Sequence, residues 1–100
     1  MNALKAETAE MELCLYIAGD WPNSQRALTN LKAILVNIPV NLEVVDCLVD
    51  PERGMRDGIY YTPTLMKVSP SPRRKIVGDL SNRAAVLDAL IGPAVSDEER

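Results

Sequence analysis

The first half of the chain alternates apolar runs with polar turns in a pattern that predicts a strand, a helix and a second strand. Residues 12–18 form an apolar-rich strand that ends at Gly19 and is suited to the middle of a sheet. The helix begins after Asp20, a favourable N-cap, has Pro22 in its first turn and extends to about residue 36. Its buried face follows a three-four spacing and comprises Ala27, Leu28, Leu31, Ile34 and Leu35. Residues 41–48 are predicted to form a parallel second strand, because only a helix separates them from the first.

The second half is predicted to form a short helix, a hairpin and a closing helix. Asp50-Pro51-Glu52 opens the short helix, which Gly54 and Gly58 each weaken by about 1 kcal/mol relative to alanine. Residues 64–68 and 74–78 form an antiparallel hairpin around the turn Ser69-Pro70-Ser71-Pro72. Ser81 is the predicted cap of the last helix, which ends at Gly92-Pro93. Its apolar face comprises Val86, Leu87, Leu90 and Ile91.

The order of these elements predicts an α/β fold with one mixed sheet and helices on both of its faces, the thioredoxin-like plan. With 100 residues the chain forms a single domain. We expect this domain to occupy residues 12–92. The polar segments 1–11 and 93–100 are expected to be an N-terminal disordered tail and a C-terminal polar tail.

Charge and hydropathy limit the partners of the protein. A formal net charge of -3 and a pI near 4.8 give no attraction to nucleic acid or to an anionic membrane surface. The longest apolar run, residues 13–18, is too short to span a bilayer, and no signal peptide is recognisable. We therefore expect a soluble cytoplasmic protein that binds neither nucleic acid nor membrane.

The chemistry of a redox enzyme is missing from the place where this fold would hold it. The turn that faces Thr62-Pro63 reads Asp20-Trp21-Pro22-Asn23-Ser24 and has no cysteine. Thiol-disulfide exchange requires a thiolate at the helix N-terminus, so an oxidoreductase is disfavoured. Cys14 and Cys47 lie within predicted strands and are expected to be small buried hydrophobic residues. Without histidine, we expect no catalytic residues, no metal site, no cofactor and no enzymatic activity.

Several short motifs, running from about residue 12 to residue 90, resemble the KaiB family. Each is short, but together they are specific. They are Leu15-Tyr16-Ile17-Ala18-Gly19, Pro22-Asn23-Ser24, Arg26-Ala27-Leu28, Val45-Asp46, Pro51, Thr62-Pro63-Thr64-Leu65, the run from Arg74 to Arg83, and Val86-Leu87. The resemblance implies a non-enzymatic clock or timer protein. Such a protein would bind the ATPase ring of a KaiC-type hexamer and modulate its phosphorylation cycle.

The same resemblance implies that the C-terminal half can adopt two folds. One is a thioredoxin-like monomer that binds the ring, and the other is a differently wound form that assembles into dimers or tetramers. The residues associated with this switch are Pro63, Pro70, Pro72, Gly78, Asp79, Ala89 and Ile91. The resemblance also implies a cis bond at Thr62-Pro63.

A local departure from the family predicts which state this chain favours. Relatives commonly carry Gly-x-Asp where this chain has Ala89-Leu90-Ile91. Alanine favours a helix over glycine by about 0.8 to 1 kcal/mol, and Ile91 would extend the apolar face. We therefore expect a bias toward the thioredoxin-like state, which Gly54 and Gly58 oppose.

The resemblance, together with residue type, assigns partner binding to six positions. They are Trp21, Asn23, Arg26, Arg73, Arg74 and Lys75. Five of them have a plainer alternative: Trp21 packs the helix start, Arg26 is solvated, and Arg73-Arg74-Lys75 is a solvated hairpin edge instead of a contact for an acidic surface. Asp79 is predicted to help cap the next helix, and it forms no catalytic pair with Asp46.

Two further points concern partners. Cyanobacterial relatives tend to have lysine where this chain has Glu43, on the strand implicated in binding KaiA. The segment from Asn41 to Glu43 therefore argues against KaiA binding, and a KaiC-only system fits better. A sensor or adaptor domain of the SasA type is the alternative within the same fold. A chain that ends at Arg100 is expected to carry no histidine kinase.

Overall fold

The structure, a computed structural model, describes residues 11–92. It contains seven elements, which are β1 (Met11–Ile17), α1 (Pro22–Ile34), β2 (Val40–Asp46), α2 (Pro51–Arg56), β3 (Thr64–Ser69), β4 (Arg74–Val77) and α3 (Arg83–Ile91). The predicted tails lie outside the described residues, except that Met11 is the first residue of β1. Every predicted element is present, with bounds shifted by one or two residues.

The four strands form one mixed sheet in the order β2-β1-β3-β4. β1 pairs in parallel with β2, with Leu13 opposite Leu42, and antiparallel with β3, with Tyr16 opposite Thr64. β4 continues the sheet as the antiparallel partner of β3. The predicted mixed sheet and hairpin are confirmed, and β2 and β4 form the two edges.

The sheet is covered by helices on both faces, as predicted. Leu13, Leu15 and Ile17 of β1 pack in the larger core with α1 and α3. Cys14 and Tyr16 lie on the opposite face, in a smaller cluster on the side of α2. Because both faces of β1 are buried, the strand is apolar at nearly every position instead of alternating.

The N-terminus of α1 differs from the prediction. The N-cap position is Trp21, whose side chain makes no capping bond, and not Asp20. The nearby Ser24 side chain is buried and its Oγ accepts a hydrogen bond from the Ala18 amide at 3.0 Å. The turn is therefore held to the end of β1 by a serine inside the helix, a bond that cap preferences do not reveal.

The predicted N-cap residue is correct for α2, and for α3 the N-cap lies one residue after the predicted one. Asp50 Oδ1 accepts a hydrogen bond from the Arg53 amide at 3.2 Å, as its predicted role requires. The cap of α3 is Asn82, whose Oδ1 accepts from the Ala85 amide at 3.0 Å, and not Ser81. Asp79 likewise does not cap α3, because its Oδ1 accepts from the Ser81 amide in the turn before the helix.

The two glycines predicted to weaken α2 have other roles. Gly54 is buried, and a Cβ at this position would lie 3.0 Å from Cys47 Sγ, so it allows α2 to approach the end of β2 closely. Gly58 lies beyond the helix at φ +74°, and its amide donates to the Met55 carbonyl. With the Ile59 amide donating to the Gly54 carbonyl, this is a Schellman ending, for which glycine is the favoured residue.

The apolar face of α3 is narrower than predicted. Val86 and Leu90, one helical turn apart, are buried in the larger core with Leu87 packed against them. Ile91 is 62% exposed, because the residue that follows Leu90 is rotated by about 100° around the helix axis. The prediction that Ile91 extends the buried face is wrong.

Candidate functional site

The carboxyl ends of β1 and β2 lie side by side at one end of the sheet, as they must in a parallel pair. We call this end the carboxyl edge, as distinct from the edge strands β2 and β4. Asp46, the last residue of β2, joins the two loops that leave this edge. Its Oδ1 accepts hydrogen bonds from the Gly19 amide and from the Leu48 amide, both at 2.9 Å. Asp46 therefore has a structural role and supports the backbone beneath a candidate site.

Large apolar side chains are exposed along this edge. Each is at least 64% exposed, and they are Trp21, Leu48, Met55, Tyr60 and Tyr61; we call this set the aromatic edge. Cavities of about 460 and 270 Å³ lie beside Trp21 and beside Tyr60, and both are lined by Ala18 and Thr62. An exposed apolar surface of this kind is typical of a protein-interaction site.

Three of the six predicted partner-binding residues lie together here. Trp21, Asn23 and Arg26 line the larger of the two cavities. Trp21 is 66% exposed, which disagrees with the alternative that it packs the helix start. Arg26 hydrogen-bonds the Asn23 side chain, and its Nε lies 3.6 Å from Asp79 Oδ2. The aromatic edge thus has a cation beside its tryptophan.

The other three lie apart from this group, on the hairpin between β3 and β4. Arg73 is exposed and lines a cavity on the α2 side of the sheet. Lys75 donates a hydrogen bond from Nζ to the Gly58 carbonyl at 3.2 Å, and Arg74 is half-buried. The six residues therefore form two groups instead of one site.

A chain of polar contacts connects β1, α2 and β2. The Tyr16 hydroxyl donates to Asp57 Oδ2 at 2.6 Å, and Arg53 Nε donates to the same oxygen at 2.9 Å. The two terminal nitrogens of Arg53 donate to both carboxylate oxygens of Glu43 at 2.9 and 2.7 Å. We call these four residues the polar clamp. Glu43 was identified in the sequence, but its partner Arg53 was not.

The contacts within the polar clamp shift the pKa values of Tyr16, Asp57 and Glu43. Burial, together with the hydrogen bond to Asp57, raises the pKa of Tyr16, so the phenol stays protonated and donates. The bonds from Tyr16 and Arg53 lower the pKa of Asp57, and those from Arg53 lower the pKa of Glu43. At neutral pH the clamp therefore contains one cation and two carboxylates.

The loop between β4 and α3 is bound to α1 and contains a strained residue. Gly78, at φ +121°, donates from its amide to the Pro63 carbonyl at 2.9 Å. Asn30 of α1 donates from Nδ2 to the Asp79 carbonyl at 2.8 Å. Leu80 is buried at φ +63°, a left-handed conformation that is costly for a bulky residue. The predicted cis bond at Thr62-Pro63 is confirmed, and the bonds before Pro70 and Pro72 are also cis.

The Cys14 and Cys47 thiols and the Ser24 hydroxyl do not form a nucleophilic centre. Ser24 is buried, and its Oγ is used by the Ala18 amide. Cys14 is buried as predicted, but Cys47 lies one residue beyond β2 and is half-buried. Burial raises the pKa of both thiols, which lowers the thiolate fraction that exchange chemistry requires.

Two further observations apply to residues 11–92. They include no cluster of three or more histidine, cysteine, aspartate or glutamate side chains placed to hold a metal ion. None of the helices in this range has the length and apolar character needed to cross a bilayer.

Solved structures with the same fold include two of different origin. The N-terminal domain of SasA from Synechococcus elongatus has a TM-score of 0.67 at 24% identity, covering 81% of this chain and 83% of that one. Thioredoxin from Fasciola hepatica also has a TM-score of 0.67, at 16% identity, covering 87% and 85%. At these identities the likeness shows the fold alone, and it confirms the thioredoxin-like plan.

Sequence relatives are closer. "Circadian clock oscillator protein KaiB" from Prochlorococcus marinus subsp. pastoris is 49% identical over 81 residues, which cover 78% of this chain and 76% of that protein. The protein of the same name from Picosynechococcus sp. is 48% identical over 93 residues, covering 90% and 86%. The family model described as the KaiB domain matches residues 14–91, which include every strand and helix from the middle of β1 to the end of α3. The chain therefore belongs to the KaiB family.

Proposed function

We propose that the protein is a non-enzymatic clock or timer component that binds a KaiC-type ATPase ring and modulates its phosphorylation cycle. The observation that carries the proposal is the aromatic edge. In a chain of the KaiB family, a set of exposed apolar side chains occupies the edge of the sheet where a thioredoxin would carry its cysteines. This edge is the contact surface for the ring.

The chemistry of the aromatic edge fits a protein partner. Tryptophan, tyrosine and arginine are the residues most enriched at binding hot spots, and Trp21, Tyr60 and Arg26 are all exposed here. Asp46 accepts hydrogen bonds from the Gly19 and Leu48 amides, and these bonds fix the backbone of the loops that carry Trp21 and Leu48. A fixed backbone reduces the conformational entropy lost on binding. The second group, Arg73, Arg74 and Lys75, favours association with an acidic partner surface.

The test is a binding measurement with a KaiC-type hexamer from the same organism, loaded with ATP or with ADP. We expect Trp21→Ala to weaken binding by about 30-fold or more, as for a hot-spot residue. Val36→Ala is the matched control, because Val36 is 73% exposed beyond the C-terminus of α1, at the opposite edge of the sheet. Absence of binding in both nucleotide states, or equal losses in the two variants, contradicts the proposal.

The proposal includes a second arrangement of the C-terminal half. It is supported by the loop before α3, where Leu80 is strained at φ +63° and the Asn30 side chain holds the Asp79 carbonyl. Backbone strain of this type costs about 1–3 kcal/mol, so the thioredoxin-like arrangement depends on such contacts. Because Ile91 is exposed, the predicted bias toward this arrangement rests on Ala89 alone.

The second arrangement is tested by NMR and size exclusion. We expect Asn30→Ala and Ala89→Gly each to increase a second set of amide resonances in residues 50–92 and the fraction of dimer or tetramer. Lys32→Ala, at an exposed position of α1, is the control. A single set of resonances at the mass of one chain in all variants rules out the switch under those conditions.

Within this proposal, Glu43 on β2 bears on whether the protein also binds KaiA. Glu43 lies on the edge strand β2 and puts a negative charge where cyanobacterial relatives tend to have lysine. From this reversal of charge we infer that the strand does not bind KaiA and that the protein works in a KaiC-only system. A sensor or adaptor domain of the SasA type is the second candidate, and the shared thioredoxin-like fold is compatible with it. Discovery of a kinase domain in the full-length gene product would favour that candidate over the first.

A further inference from the structure

A small basic cavity lies on the face of the sheet that carries α2. Arg53 and Arg56 of α2 and Arg73 of the hairpin form its walls, and Met66 and Val68 of β3 form its floor. Its volume of about 300 Å³ is at the lower end of the range of about 300–1,000 Å³ for small-molecule pockets. The cavity therefore has room for one small ligand.

The three guanidinium groups differ in how many donors they have left. Arg53 uses most of its donors, because Nε donates to Asp57 and each terminal nitrogen donates one hydrogen bond to Glu43. Arg56 has one long contact, with its Nε 3.6 Å from Asp57 Oδ1, and its side chain is 72% exposed. Arg73 makes no hydrogen bond or ion pair with any other residue in the range 11–92. Arg56 and Arg73 therefore retain donors for a ligand.

The charges at the cavity favour an anion. The described residues at the cavity include the guanidinium groups of Arg53, Arg56 and Arg73 and the carboxylate of Asp57, and Glu43 is bonded to Arg53. Together they leave one net positive charge on a protein with a formal net charge of -3. Among residues 11–92, Asp57 is the only acidic residue that lines the cavity, and its Oδ2 already accepts from Tyr16 and Arg53.

We propose that this cavity binds a phosphate group, as inorganic phosphate or as a phosphate monoester, through Arg56 and Arg73. A guanidinium group matches phosphate oxygens through two parallel hydrogen bonds. Two such groups, on two different elements, are matched better by the several outward-facing oxygens of a phosphate than by the two oxygens of a carboxylate. A phosphorylated metabolite and a phosphorylated side chain present the same chemistry.

The probe is inorganic phosphate, added to the isotope-labelled protein at constant ionic strength and followed by amide NMR. A neutral peptide with one phosphoserine and its unphosphorylated form are added in separate titrations. We expect saturable shifts at Met66, Val68 and Arg73. Saturation by inorganic phosphate assigns the site to small phosphates, and saturation by the phosphopeptide alone assigns it to a phosphorylated side chain. Absence of a saturable shift with both phosphate probes, or an equal response to the unphosphorylated peptide, overturns the proposal.

Variants separate a specific site from general charge attraction. Arg73→Ala is expected to weaken phosphate binding by at least about tenfold, as for loss of a charge-assisted bond. Arg83→Ala removes the same charge from an exposed position of α3 and is expected to leave the affinity unchanged. Equal losses in the two variants would show that the attraction is only that of net charge. Neither measurement involves the ATPase ring, so the result is independent of the function proposed above.

Discussion

Removal of the Tyr16 hydroxyl is the sharpest test of how α2 is held to the sheet. Tyr16→Phe keeps the buried ring, which is 1% exposed, and deletes only the oxygen that donates to Asp57 at 2.6 Å. The substitution therefore opens no sizeable cavity, and its cost is the loss of one hydrogen bond to a carboxylate.

The expected loss in the free energy of unfolding depends on the surroundings of the bond between Tyr16 and Asp57. A hydrogen bond to a charged group contributes about 1.5–3 kcal/mol. Asp57 has a side-chain exposure of 23% and keeps Arg53 as a partner, so water replaces part of the loss. We expect the free energy of unfolding to fall by about 1.5 kcal/mol, which corresponds to a decrease in Tm of about 6–12 °C for a domain of this size.

The assay is thermal and denaturant unfolding, repeated at several protein concentrations because association shifts the apparent stability. Tyr60→Phe is the matched control, since Tyr60 is 87% exposed and its change is expected to stay within about 0.5 kcal/mol. In the double-mutant cycle with Asp57→Ala, the coupling energy should be about 1.5 kcal/mol. A coupling energy near zero, or equal effects of the two tyrosine variants, would refute the role of the bond.

Three other predictions follow from burial and charge. Leu31→Ala, at a fully buried position, should destabilise the protein by about 2–5 kcal/mol, whereas Ile91→Ala should change stability by less than about 0.5 kcal/mol; equal effects would contradict the packing of α1 and α3. Gly54→Ala adds a Cβ that would lie 3.0 Å from Cys47 Sγ, so we expect it to stabilise the native protein little or not at all. When Cys47→Ala removes that sulfur, Gly54→Ala should stabilise the protein by about 1 kcal/mol. The lowered pKa values of Glu43 and Asp57 stabilise the fold above the ordinary carboxyl pKa of about 4, and this contribution is lost as pH falls through the lowered values. Denaturant unfolding from pH 7 to pH 3 should therefore show a smaller acid loss for the Glu43→Gln/Asp57→Asn variant than for the native protein.

The arrangement of the strands and helices could be predicted from the sequence because each element has a clear period. Leu28 and Leu31 mark a helical face, and the long apolar run of β1 indicates a strand covered on both sides. Helix ends were less predictable, since two capping residues often stand side by side. At the start of α3 the Asp79 side chain turns the backbone at Ser81, and this leaves Asn82 as the cap.

The candidate site could be predicted only in part. Trp21 stands in the turn after β1, so topology alone places it at the carboxyl edge. The exposure of Tyr60 and Tyr61 has no periodic signal, because they lie in an irregular loop between α2 and β3. The bond between Tyr16 and Asp57 joins residues 41 positions apart, and a single sequence contains no information about such a pair.

Hydrogen exchange of the protein in complex with an ATP- or ADP-loaded KaiC-type hexamer would locate the surface that binds the ring. We expect protection of amides in residues 19–24 and 58–62, which include Trp21, Tyr60 and Tyr61 of the aromatic edge, with little change in residues 36–39 at the opposite edge of the sheet. Binding that protects residues 36–39 and leaves the aromatic edge unchanged would contradict the proposed contact surface.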